Sequence, residues 1–177
     1  MSAIAKSKSV GFSLIELIIG VVIVGILAAL AMPSLQQMLR NSEVRNAAES
    51  ITNGLQRARA EAVSRNTNVQ FVLGVDGTWA VDYVVKPNPA APPIDSQSGE
   101  EGSPNVTLVA VATDLATPAD TVTFNNLGQI QDPGTAISQV DIAAPGATQN
   151  LRVTLGVGGG ARMCDPSLAP GSSPRAC

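Results

Sequence analysis

The chain contains no histidine, few aromatic residues and only two cysteines. Without histidine, neither a Ser-His-Asp triad nor a zinc site with histidine ligands can be built. Aromatic residues make up only 3% of the chain, so a core must come largely from valine, leucine, isoleucine and alanine. The glycine-rich stretch 156–160 lacks the Lys-Ser/Thr pair of a phosphate-binding loop, and the acidic residues form no calcium-loop pattern. The sequence therefore predicts no enzyme, no cofactor and no metal site.

Charge is also scarce near the start of the chain. Between residues 9 and 39 the single charged side chain is Glu16, which lies inside the apolar run 12–32. About 20 apolar residues are enough to cross the hydrocarbon core of a membrane. A carboxylate at that depth costs roughly 2.5–3.5 kcal/mol, so Glu16 needs a partner such as an amine. A cut between Gly11 and Phe12 would create an α-amino group four residues before it.

Two other interpretations of this segment remain open. Lys6 and Lys8 give a basic start, and Ala29-Leu30-Ala31 is similar to a signal-peptide cleavage site, but the apolar run is longer than the usual 7–15 residues or so. A plain transmembrane anchor accounts for everything except Glu16. In each membrane interpretation the two lysines favour a cytoplasmic start.

Gly11-Phe12-Ser13-Leu14-Ile15-Glu16-Leu17, after a short basic leader, resembles the processing motif of type IV pilins and type II secretion pseudopilins. The resemblance implies that a prepilin peptidase cuts after Gly11 and methylates Phe12. It implies that Glu16 pairs with the amine of a neighbouring subunit, and that Pro33 is the helix-kinking proline common in the family. It further implies insertion in the bacterial inner membrane, a periplasmic head, and assembly into a filament with other major and minor pilins.

The helical pattern continues beyond Pro33. Apolar or small residues recur at spacings of three to five, and they are expected to cover a sheet: Leu35, Leu39, Val44, Ala48, Ile51, Leu55, Ala58 and Ala62. Charged residues four apart fill the other face and are expected to be solvated: Arg45 with Glu49, and Glu61 with Arg57 and Arg65.

The rest of the chain predicts strands joined by loops. Strands are expected at 69–75, 78–85, 106–112, 121–124, 140–143 and 151–155. Asp76-Gly77 is a two-residue hairpin signal, whereas residues 86–105 predict a long exposed loop and the residues after 160 a coil-like tail. The predicted class is α+β, with a long N-terminal helix packed on an antiparallel sheet or small β-sandwich.

This pattern predicts four segments. They are a cleaved leader at 1–11, a transmembrane or filament-core half-helix at 12–35, an amphipathic half-helix at 36–66, and a periplasmic head at 67–177. Cys164 and Cys177 close a loop of about 14 residues, and a disulfide there would contribute roughly 3 kcal/mol. An oxidising compartment favours that bridge, with a free thiol or a redox role as the alternative.

Three stretches narrow the resemblance. Leu55–Ala62 resembles the L-x-x-A-R-x-E-A helix of the H-type pseudopilins and the FimT/FimU minor pilins, and Thr121–Gly128 is similar to their strand and turn. The tail, with Ala161–Pro166 and Pro174–Cys177, is similar to that of the pilus members. The resemblance implies a minor pilin that lies near the tip of a type IV pilus and primes its assembly. An H-type pseudopilin of type II secretion is the alternative.

DNA binding in natural transformation is a further alternative, because some relatives hold DNA through tail arginines. Arg152, Arg162 and Arg175 are the candidates here. The Gly-Arg-x-Arg pattern of those relatives lacks its first arginine in Gly159-Gly160-Ala161-Arg162, and three phosphate contacts on an acidic protein would be weak and salt-sensitive. The competing interpretation is surface arginines that serve solubility and subunit docking.

Overall fold

The computed structural model describes residues 12–177 except residues 100 and 102. The described part contains one helix, α1, at Leu14–Arg65. Its strands are β1 Val69–Leu73, β2 Trp79–Tyr83, β3 Asp95–Gln97, β4 Thr107–Val111, β5 Thr121–Phe124, β6 Gln139–Ala143, β7 Leu151–Leu155 and β8 Ala161–Cys164. Gly11, the predicted cleavage residue, lies outside the described residues.

The predicted α+β class is confirmed, with two sheets rather than one. Both are four-stranded and antiparallel, in the orders β3-β2-β1-β5 and β4-β6-β7-β8. In the first sheet Val69 lies opposite both Tyr83 and Phe124, and in the second Val140 lies opposite Val153. The valine-rich alternation of the sequence places these side chains on one face of each strand.

The chain divides into two compact units, with the boundary along the chain between Gln36 and Gln37. In the first unit, the described residues 12–36 are exposed along their whole length. An 18-residue window of α1 reaches a mean hydropathy of 2.9 and none of it is buried. An apolar helix of this length without protein cover is long enough to span a bilayer.

The second unit has its own hydrophobic core. Six of the eight predicted helix positions are buried in it: Val44, Ala48, Ile51, Leu55, Ala58 and Ala62. They join inward residues of both sheets, including Phe71, Phe124 and Val153. The prediction was wrong for Leu35 and Leu39, which are 56% and 57% exposed, because the buried face of α1 begins only at Val44.

Gly54 marks the closest approach of α1 to the first sheet. A Cβ atom at Gly54 would lie 2.7 Å from Cε2 of Phe71 and 3.0 Å from Cδ2 of Trp79. The two rings pack with centroids 5.8 Å apart. Trp79 Nε1 donates to the Ser50 hydroxyl at 2.8 Å, which gives the buried indole a polar partner.

Three local predictions were wrong. β3 lies inside the segment expected to be a loop, and β8 lies inside the expected coil. Both strands are short or polar, so their sequences alone do not indicate a strand. Hydrogen bonding to β2 and β7 stabilises them in the sheets. The first hairpin has a five-residue loop, 74–78, in which the N–H of Gly77 donates to the carbonyl of Gly74 and Gly77 takes a φ of 84°. Glycine adopts a positive φ without the steric strain that other residues meet, so Gly77 is suited to this position.

Candidate functional site

The N-terminal candidates lie at the start of α1. Phe12 is 85% exposed and precedes the helix, and Glu16 lies exposed in its first turn. None of the described residues forms an ion pair with Glu16. A carboxylate near a helix N-terminus is favoured by the helix dipole, which does not neutralise its charge in an apolar medium. The arrangement can therefore accept a cation from another chain.

Pro33 lies within α1, where it supplies no backbone N–H. The neighbouring Ser34 hydroxyl donates to the Ala31 carbonyl at 2.9 Å. This bond does not replace the one that Pro33 lacks, because an N–H at position 33 of an α-helix would donate to the carbonyl of Ala29. The role in kinking the helix that the resemblance gave to Pro33 stays a prediction.

The C-terminal candidates form a segment folded back on β8. A disulfide joins Cys164 to Cys177, with their Cα atoms 5.1 Å apart. The Arg162 guanidinium donates to the carbonyls of Pro174, at 3.3 Å, and Ala176. The N–H of Asp165 donates to the carbonyl of Arg175 at 2.7 Å. The segment is thus held by a covalent bond and by hydrogen bonds on both sides of Cys164.

The three tail arginines have different surroundings. Arg152 on β7 pairs with the Asp141 carboxylate on β6, and Arg162 donates hydrogen bonds to two carbonyls of the tail. Arg175 is exposed and acts on Asp165 through its charge. A phosphate would have to compete with these partners at Arg152 and Arg162. The DNA-binding hypothesis therefore stays a prediction that gains no support from the geometry.

Glu61 was expected to be solvated, and the structure buries it to 8% exposure. It forms an ion pair with Arg57 at 3.0 Å and accepts a hydrogen bond from Arg65, whose guanidinium also lies 5.3 Å from the centroid of the Tyr83 ring. The hydrogen bond that Arg65 donates to the Glu61 carboxylate raises the pKa of Arg65. One signal was available: Glu61 lies three residues after Ala58 on the buried stripe.

Arg59 joins two of the stretches that carried the resemblance. Its Nε donates to the carbonyl of Gly128 at 2.9 Å, so the helix segment 55–62 is bound to the turn that ends 121–128. Gly128 has a φ of 73°, which glycine adopts without strain. The arginine in the middle of that helix motif therefore has a structural partner in this chain.

We expect acid to weaken the C-terminal segment through Asp165. Hydrogen bonds from the hydroxyl and then the N–H of Ser167 lower the pKa of Asp165 below its ordinary value of about 3.9. The carboxylate therefore stabilises the fold above about pH 4, and this contribution is lost as the pH falls through the lower folded pKa. Urea unfolding at a series of pH values should show a shallower acid loss for Asp165→Asn than for Asp132→Asn. The same loss in both variants would contradict the assignment.

Comparisons with known proteins agree with this geometry. Residues 7–32 match the prokaryotic N-terminal methylation motif, and residues 47–162 match the family described as type II transport protein GspH. An apolar helix that carries this motif and continues into a β-rich head defines the class of pilins and pseudopilins. Because the second match spans more than half of the chain, the chain belongs to the GspH family.

Two solved proteins show the same fold. For the type IV minor pilin FimU of Pseudomonas aeruginosa, one crystal form gives a TM-score of 0.55 at 23% identity, covering 73% of this chain and 94% of FimU. A second form gives 0.51 at 21%, covering 72% and 98%. The minor pseudopilin EpsH of the Vibrio cholerae type 2 secretion system gives 0.50 at 17%, covering 71% and 99%. As a member of the GspH family with the N-terminal methylation motif, the chain is a pilin or pseudopilin, and its motif and apolar helix indicate membrane anchoring and assembly with other pilins.

Proposed function

We propose that this protein is a minor type IV pilin, a structural subunit and not an enzyme. It resides in the bacterial inner membrane with a periplasmic head, is cut after Gly11 and methylated at Phe12, and then enters the pilus near its tip, where it primes assembly. The observation that carries the proposal is Glu16, an acid without an ion-pair partner among the described residues, in an exposed apolar stretch of helix.

The assembly step exchanges one environment of the helix for another. Lipid tails are as apolar as leucine, so moving the helix from lipid to a filament core gains packing and polar contacts rather than hydrophobic burial. In that core, the amine of Phe12 on a neighbouring subunit offsets the cost of burying the Glu16 carboxylate. This charge pairing thus favours the register between neighbouring helices in which Glu16 of one subunit contacts the Phe12 amine of the next.

The test of processing is the mass of the mature N-terminus. Protein purified from membranes should begin with N-methyl phenylalanine at Phe12. Gly11→Val should leave the precursor uncut, because the peptidase site requires the small residue, and the mass should rise by that of the leader. Gly20→Val, a matched change where the helix has open space, should be processed normally. A mature chain that begins elsewhere would overturn the proposal.

A type II secretion pseudopilin is the second candidate. The family carries the description of a type II transport protein, and EpsH shares the fold. The paired C-terminal cysteines favour the pilus. Deletion of the gene separates the two: a pilus subunit predicts fewer surface pili with normal export of enzymes, and a pseudopilin predicts the reverse.

A further inference from the structure

The outer edge of β4 differs from the other sheet edges of the described head. β5 is bordered by the chain that follows, since the N–H of Gln131 donates to the Thr123 carbonyl at 2.9 Å. The end of β8 is bordered by the C-terminal segment through the bond from Asp165 to Arg175. β3 has only three residues and carries Asp95. β4 has five residues with neither charge nor proline, the features that commonly protect an edge.

Half of this edge offers free backbone groups. On the side away from β6, the N–H of Ala119 donates to the Ala110 carbonyl at 3.2 Å, and the N–H of Ala112 donates to Thr117 at 2.9 Å. Backbone groups of alternate residues point to the same side of an antiparallel strand. Leu108 and Ala110 therefore face outward together. None of the described residues bonds to the N–H or carbonyl of Leu108 on that side, or to the N–H of Ala110.

A cleft lies along these groups. After Ala119 the chain leaves β4 for the first sheet, where the N–H of Leu73 donates to the Asp120 carbonyl at 2.7 Å. The divergence opens a cleft of about 430 Å³ between β4 and residues 73–75. Its walls are mostly apolar, and two of their valines are exposed: Val75 to 96% and Val109 to 54%. Apolar walls beside free backbone groups are the features by which an extended peptide is recognised.

The charge of the cleft and its surroundings indicates the chemistry of the occupant. Asp120 lines it, no basic residue does, and among the described residues only the Thr121 hydroxyl donates to the Asp120 carboxylate. Residues 67–177 carry ten acidic and four basic side chains, so the surroundings also favour a cation. The same excess of acidic side chains disfavours a second copy of this head as the occupant.

We propose that the outer edge of β4 binds an extended, apolar segment with lysine or arginine residues, supplied by a partner protein and added as a strand. The segment accepts from the N–H groups of Leu108 and Ala110 and donates to the carbonyl of Leu108. Its apolar side chains pack against Val75 and Val109, and a basic side chain approaches Asp120.

The test measures hydrogen exchange of the full chain in detergent micelles, with an acetylated, amidated Lys-Val-Thr-Val-Thr-Lys peptide at millimolar concentration. We expect exchange of the Leu108 and Ala110 amides to slow about tenfold, which corresponds to about 1.4 kcal/mol of protection. The central Val153 amide should stay unchanged. No slowing at these two amides would overturn the proposal.

Matched probes separate strand addition from general adhesion. The same peptide with glutamate in place of lysine should protect less, and one N-methylated on the residues that face β4 should not protect at all. Asp120→Asn should reduce the preference for the lysine peptide, while Asp132→Asn should keep it. Equal protection by the N-methylated peptide would contradict the proposal. So would protection that rises with protein concentration alone, since that result would mean a second copy occupies the edge.

Discussion

Glu16→Ala is expected to leave membrane insertion intact and to reduce the share of this protein in purified pili by about a hundredfold. Alanine is tolerated in the apolar run, so anchoring does not depend on the acid. In the filament, however, the variant would leave an amine of the neighbouring chain without its partner. Removing one member of a buried pair costs about 3 kcal/mol, and each 1.4 kcal/mol changes an equilibrium constant about tenfold.

Quantitative mass spectrometry of sheared pili and of membranes from one culture gives the ratio that tests this expectation. Glu16→Asp retains the charge and should recover part of the incorporation, whereas Glu16→Gln should stay close to the alanine variant. Glu43→Ala is a control, because Glu43 pairs with Arg40 within the head unit. Wild-type incorporation of Glu16→Ala would refute the pairing role.

Gly54→Leu is expected to destabilise the head by about 3 kcal/mol, because added carbons in a packed core force rings and backbone apart. Leucine normally favours a helix over glycine by up to about 1 kcal/mol. Here an added Cβ already lies 2.7 Å from the Phe71 ring and 3.0 Å from the Trp79 ring. The cost of this steric clash is therefore larger than the gain in helix propensity. For a chain of this size the Tm should fall by roughly 10 °C.

Thermal unfolding of the full chain in detergent measures this change. Trp79 is the only tryptophan of the chain, so its fluorescence reports on the contact itself. Gly134→Leu places the same side chain where no atom lies within 4 Å, and it should shift the Tm little. If Gly54→Leu left both the Tm and the fluorescence unchanged, the close packing of helix on sheet would be refuted.

The sequence predicted the fold class and several elements because their patterns are local. β5 and β7 have the predicted bounds, since alternating apolar residues between turn signals need no partner to be recognised. β3 was missed because its strand character comes from pairing with β2 across a long intervening loop. β8 was missed although its partner β7 lies just before it, because its four residues include no β-branched or aromatic side chain. The pairing of Glu61 with Arg57 and Arg65 was visible from their spacing, but its burial was missed because it depends on how the folded head covers that face of the helix.

The candidate site shows the same division. The N-terminal motif could be identified from contiguous residues, and the cysteine pair could be identified because the chain has only two cysteines. The hydrogen bonds from Arg162 to the tail could not be identified, because the accepting carbonyls are twelve and fourteen residues further along the chain. The cleft beside β4 depends on where the chain leaves one sheet for the other, which no short pattern encodes.

The buried face of α1 begins at Val44, and none of the described residues from 12 to 36 contributes a side chain to the core. Replacing lipid tails with protein around the first helical turns therefore removes none of the core contacts that stabilise the second unit. The helix can leave the bilayer while the second unit stays folded, so the free energy of extraction is separate from the free energy of unfolding.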